Sequence, residues 1–152
     1  MTIKWYLEQY RNADRKAKRI RREYEKEKSL IDSIRSPLGS NGEPHGTGIS
    51  KTVEQRAIRL ADKLLEYEDA QIRAIEIRQE VFDMIMSIGG IECDVLYEYY
   101  VDYIDESRNK AKTWEDVAEI VHVDPRTVYR IKLRAFKKLS LNVSKCRVKM
   151  VL

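Results

Sequence analysis

Nine cations and no acid lie between Pro125 and the end of the chain: Arg126, Arg130, Lys132, Arg134, Lys137, Lys138, Lys145, Arg147 and Lys149. The preceding residues, 113–124, carry four acids (Glu115, Asp116, Glu119, Asp124) and no base. A cationic stretch that starts this abruptly suits the phosphate backbone of nucleic acid. Residue types that do covalent or acid–base chemistry are scattered. His45 lies in a Gly-rich stretch and His122 in a short turn. Neither has a nucleophile or paired carboxylates at a recognisable spacing. Cys93 and Cys146 are far apart, with no CxxC and no histidine at metal-ligand spacing. The Gly cluster at 39–48 lacks the strand–loop–helix context of a phosphate loop. The expectation is a protein that is not an enzyme, with no metal and no cofactor.

The cations need an element to present them. Thr113-Trp114-Glu115-Asp116 has the form of a capping box, with Thr113 as N-cap and an acid three residues on. Val117, Ala118, Ile120 and Val121 would form the buried face of the short helix that follows. Asp124-Pro125 is a second start signal, a capping acid before a proline at the first helical position. Val128, Ile131, Ala135, Phe136 and Leu139 then give a second buried stripe. The two helices meet across Val121-His122-Val123, the spacing of a helix-turn-helix. Its turn position often needs φ > 0, and histidine tolerates that region better than most non-glycine residues. On the second helix Arg126, Thr127, Tyr129, Arg130, Leu133 and Arg134 point away from the stripe. Arg126, Thr127, Tyr129, Arg130 and Arg134 are the expected base-reading residues. Lys132, Lys137, Lys138 and Lys145 are the expected phosphate contacts.

The rest of the chain is helical by the same reading. Of 152 residues, 36% are charged and 43% hydrophobic, with a formal net charge of +4. That excludes a disordered chain and a compact β-sandwich. No apolar run reaches the roughly 18 residues of a membrane span, and the start, Met1-Thr2-Ile3-Lys4-Trp5, does not read as a secretory signal. Glycine and proline fall at 36–48, at Gly89-Gly90 and at Pro125. The segments between them are free of both breakers. Segment 1–35 carries Ile3, Leu7, Tyr10, Ala13, Ala17, Ile20, Tyr24, Ile31 and Ile34 in steps of three and four. Segment 49–88 carries Val53, Ala57, Leu60, Leu64, Leu65, Ile72, Ile75, Phe82, Ile85 and Met86. Neither stripe reads as a strict heptad. Stripes of this length need partners, so the two helices should pair as an antiparallel hairpin and assemble the protein as a homo-dimer or higher oligomer. The basic run Lys16-Ala17-Lys18-Arg19-Ile20-Arg21-Arg22 reads as a solvated face laced with i,i+4 pairs, with a second DNA contact as the alternative. Residues 91–104 read as a helix and 105–112 as a turn. The expected fold is all-α: a coiled-coil-like helical hairpin over 1–88 with a flexible loop at 36–50, a helix-turn-helix domain over 91–141, and a basic tail over 142–152.

The runs Leu96-Tyr97-Glu98-Tyr99-Tyr100, Thr113 to Ile120, Arg126 to Ile131 and Ala135 to Leu139 resemble domain four of bacterial sigma factors. More closely, the chain resembles the small phage and prophage regulators of the ArpU and RinA type, which join an N-terminal helical region to a sigma-like helix-turn-helix. The link between Tyr100 and Thr113 is longer here than the short turn usual in such domains. The resemblance implies a sequence-specific DNA-binding transcriptional regulator, an activator of late phage genes, in the cytoplasm of a bacterial host. Its implied partners are double-stranded DNA and host RNA polymerase, with no membrane. Two other classes fit the same elements. A small terminase-like packaging protein would assemble as a ring, and a structural coiled-coil adaptor would have no salt-dependent DNA affinity.

Overall fold

The structure is a computed structural model that describes residues 2–35 and 48–149. It is all-α apart from one two-stranded ribbon. In chain order the elements are α1 (Ile3–Arg35), α2 (Gly48–Met86), α3 (Gly90–Tyr100), β1 (Ile104–Asp105), β2 (Lys110–Ala111), α4 (Trp114–Ile120) and α5 (Pro125–Lys149). The expected loop at 36–50 falls largely outside the described residues, and 48–50 already belong to α2. The expected tail at 142–152 is helical as far as Lys149, because α5 contains no glycine or proline after Pro125.

The chain divides into two compact units, Ala13–Ala74, and residues up to Asn12 with those from Ile75 onward. This cuts across the expected boundary at 88. The start of α1 and the end of α2 supply Leu7, Val81 and Ile85 to a core shared with Cys93, Leu96, Tyr100 and Val101 of the α3 region and with Ala135 and Leu139 of α5. Between the helix-turn-helix and α3 lies a smaller cluster, Val95 of α3 with Val117, Ala118, Val128 and Ile131. The larger cluster therefore supplies most of the apolar burial that holds α3 and α5 together.

In the Ala13–Ala74 unit, α1 and α2 run antiparallel. Glu23 pairs with Lys63 at 3.1 Å, and Ala13, Lys16 and Ile20 line one groove with Glu66, Asp69, Ala70 and Arg73. The sequence pattern misplaced the buried face of α2. Leu64, Leu65, Ile72, Ile75 and Met86 were expected in the stripe and are exposed. Leu60 and Ile85 are sheltered as expected, and Lys63, Tyr67, Ala70, Ala74, Ile77 and Val81 join them; Leu60, Tyr67, Ala74 and Val81 recur every seven residues, as Ile3, Tyr10, Ala17, Tyr24 and Ile31 do on α1. On α1 that heptad row lies wholly within the expected stripe, whereas on α2 only Leu60 of it does. Alanine and tyrosine at the seam carry a weaker hydrophobic signal than the leucines and isoleucines outside it. The side chains of Ile34 and Val53 lie outside the described residues.

The turn from α2 to α3 depends on glycine. Gly89 has φ 60° and ψ 176°, a combination essentially closed to residues with a Cβ. Helix α3 ends at Tyr100 rather than at 104. The long link that follows is not a simple turn. Ile104 pairs with Ala111 and Asp105 with Lys110 in an antiparallel ribbon, and Asn109 takes φ 50° at its tip. Lys112 ties the ribbon back to α3. Its buried ammonium donates to Glu98 Oε2 at 2.6 Å and Asp102 Oδ2 at 2.8 Å. Burial lowers the pKa of Lys112, but the hydrogen bonds and charges of these two carboxylates together outweigh it and the net shift is upward.

Candidate nucleic-acid interface

The capping box forms as the residues require. Thr113 Oγ1 accepts from the Asp116 amide at 3.3 Å, and Asp116 Oδ2 accepts from the Thr113 amide at 2.7 Å. The backbone and side-chain hydrogen bonds from Thr113 hold the Asp116 carboxyl below its ordinary range. Arg108, from the ribbon, donates to the other oxygen of Asp116 at 2.9 Å. Helix α4 ends in a Schellman motif: the Val123 amide donates to Ala118 O at 3.0 Å and the His122 amide to Glu119 O at 3.2 Å. His122 stands at the left-handed position of that motif with φ 57°. Asp124 then caps α5, its Oδ1 accepting from the Arg126 amide at 2.8 Å. Val128, Ile131, Ala135 and Leu139 are fully buried, as the stripe predicts. Ile120 differs: it is exposed, because this seven-residue helix turns only Val117 and Ala118 into the core.

With that face fixed, the opposite face of α5 is set. Arg126, Arg130 and Lys137 are exposed, and no ion pair engages them among the described residues. Thr127 and Tyr129 are exposed beside them, and Leu133 lies in the middle of the row with 51% of its surface in water. Leu133 points outward, as its place off the buried stripe predicts.

Three other expected contacts are engaged inside the protein. Lys138 Nζ donates to Glu92 Oε1 at 3.1 Å, and Arg134 Nε approaches the same oxygen at 3.9 Å. Glu92 sits at the start of α3 with only 11% of its side chain exposed. The Lys138 hydrogen bond, with help from a backbone amide, holds its carboxyl below the usual glutamate range. Lys132 lays its ammonium over the Trp114 ring, 4.4 Å from the centroid, and burial pulls its pKa down. Lys145 lies within α5, with its side chain outside the described ones.

The Trp114 ring is one layer of a stack. Tyr99 packs face to face on it with centroids 3.6 Å apart, and the Arg11 guanidinium covers the far side of Tyr99 at 4.9 Å. The order Arg11, Tyr99, Trp114, Lys132 joins α1, α3, α4 and α5. Cations above aromatic faces are favoured by the ring quadrupole. This cluster fixes the angle at which α5 leaves the turn. The sequence carried no periodic signal for it, since its members come from four elements.

Among the described residues no group of three or more His, Cys, Asp or Glu is placed to hold a metal ion, and no helix is long and apolar enough to cross a membrane. No family model matches this chain, and no curated protein or solved structure matches it.

Proposed function

We propose that this chain is a sequence-specific DNA-binding regulator that docks α5 in the major groove of double-stranded DNA. One observation carries the reading: Arg126, Arg130 and Lys137 form a cationic row on the face of α5 opposite its buried stripe, with no ion pair among the described residues. The row lies on the second helix of a turn whose caps are complete. Arg126 and Arg130, one turn apart near the start of the helix, suit bidentate contact with guanine edges. Lys137, two turns further, suits a phosphate. Lys132 and Lys138 instead pack against Trp114 and Glu92, while Arg134, 62% exposed, stands at the edge of the row as a further base-reading candidate. The resemblance to the ArpU and RinA regulators adds a physiological reading, activation of late phage genes together with host RNA polymerase in a bacterial cell.

Self-association belongs to the same proposal. Ile58, Leu65 and Ile72 recur every seven residues on α2 with 56–61% of their surface exposed. An apolar row of this regularity supports a second copy as its cover, and two copies would present two α5 helices to half-sites about one helical turn of DNA apart.

Selection from a random duplex library tests the reading. The full chain should enrich one common sequence. Recovery of a library as diverse as its input would contradict it.

A further inference from the structure

Leu133 is out of place for a solvated helix. It sits in the centre of the cationic row, three residues after Arg130, seven after Arg126 and four before Lys137. Tyr129, one turn earlier and 59% exposed, adjoins it. Lys132 Nζ lies 5.5 Å from the Tyr129 ring centroid and 4.4 Å from that of Trp114. The face therefore presents two large apolar side chains framed by arginines. A purely electrostatic phosphate surface has no use for them, and among the described residues both stay more than half exposed.

The only apolar group that a base pair offers in the major groove is the C5-methyl of thymine. From this juxtaposition we infer that Leu133 and Tyr129 form a specificity pocket for a thymine methyl, next to a guanine read by Arg130. The inference rests on the DNA reading above and deepens it to a composition: the recognised half-site holds a thymine adjacent to a guanine. Burial of one methyl against leucine and tyrosine is worth a few-fold in affinity. Arg130 supplies orientation, because a bidentate contact to guanine fixes the register in which Leu133 meets its neighbour.

The test uses the selected duplex and the full chain. Each thymine is replaced in turn by deoxyuridine, which removes only the methyl. At one or two positions wild-type affinity should fall about fourfold, the factor expected for one buried methyl group. Leu133→Ala should lose a similar factor on the thymine duplex and be insensitive to deoxyuridine at that position. Tyr129→Ala should behave alike. Leu133 and Tyr129 are exposed, so both variants should keep the wild-type circular dichroism and melting temperature. Two results overturn the pocket while leaving DNA reading intact: specific binding with no deoxyuridine effect anywhere, or a deoxyuridine effect of unchanged size in Leu133→Ala. Absence of any selected duplex overturns the DNA reading and the pocket with it.

Discussion

Tyr99 and Trp114 stack face to face, with ring centroids 3.6 Å apart and planes within 9° of parallel. One ring comes from α3 and the other from the first residue of α4, so the stack fixes the helix-turn-helix to the helix it packs on. Lys132 closes the stack from α5 and Arg11 from α1. Trp114→Ala should cost about 2–4 kcal/mol of stability, through lost ring burial and lost stacking. Chemical denaturation measures it, and a loss below about 1 kcal/mol would show that the stack does not hold the domain. Lys132→Ala should cost less, about 0.5–1 kcal/mol.

The capping box, the Asp124 cap and the left-handed His122 were legible in the sequence because each depends on neighbours a few residues away. The buried stripe of α5 was legible for the same reason. The rows of α2 were not, since Ile58, Leu65 and Ile72 have the same spacing as the row that is buried, and only the partner helix decides between them. The roles of Lys132 and Lys138 were also hidden. Their partners, Trp114 and Glu92, lie 18 and 46 residues away, and a cation reads the same whether it faces solvent or a buried carboxylate.

His122 tests the turn. At φ 57° a β-branched side chain is strained, so His122→Val should destabilise by about 1–2 kcal/mol. His122→Gly should be neutral or slightly stabilising, because the relief of strain is offset by glycine's greater freedom when unfolded. Equal losses in both variants, measured by thermal melts, would contradict the role of the left-handed residue.

Glu92 should make stability depend on pH at the acid end. Its carboxyl is held below the ordinary value of 4.5 in the folded protein, first by the Lys138 hydrogen bond. The stabilisation is therefore present above about pH 4.5 and is lost as pH falls through the folded value. Glu92→Gln should be less stable than wild type at pH 7, and the difference should shrink between about pH 5 and 3. A difference that stays constant over that range would remove the ion pair as its cause.

Arg130 and Lys138 should separate reading from holding. Arg130→Ala should cost about 1–3 kcal/mol on the selected duplex and little on random DNA. Lys138→Ala should act mainly on stability, by releasing Glu92, and change the salt dependence of binding little. A drop of about one in the salt slope for Lys138→Ala would mean that Lys138 leaves Glu92 for a phosphate when DNA binds.

Leu65→Lys should abolish self-association without unfolding the chain, since Leu65 is already exposed. Light scattering of the wild type at micromolar concentration should give a dimer. A monomer would contradict the role of the Ile58–Leu65–Ile72 row, and a large ring would favour a packaging protein over a regulator.

The most direct measurement is a salt titration of duplex binding by the full chain, followed by fluorescence anisotropy between about 50 and 200 mM salt. If the bound protein neutralises about five to eight phosphates, log affinity against log salt should fall with a slope between about −4 and −7. A slope near zero, or no binding at the lowest salt, would contradict the assignment of α5 as a DNA-reading helix.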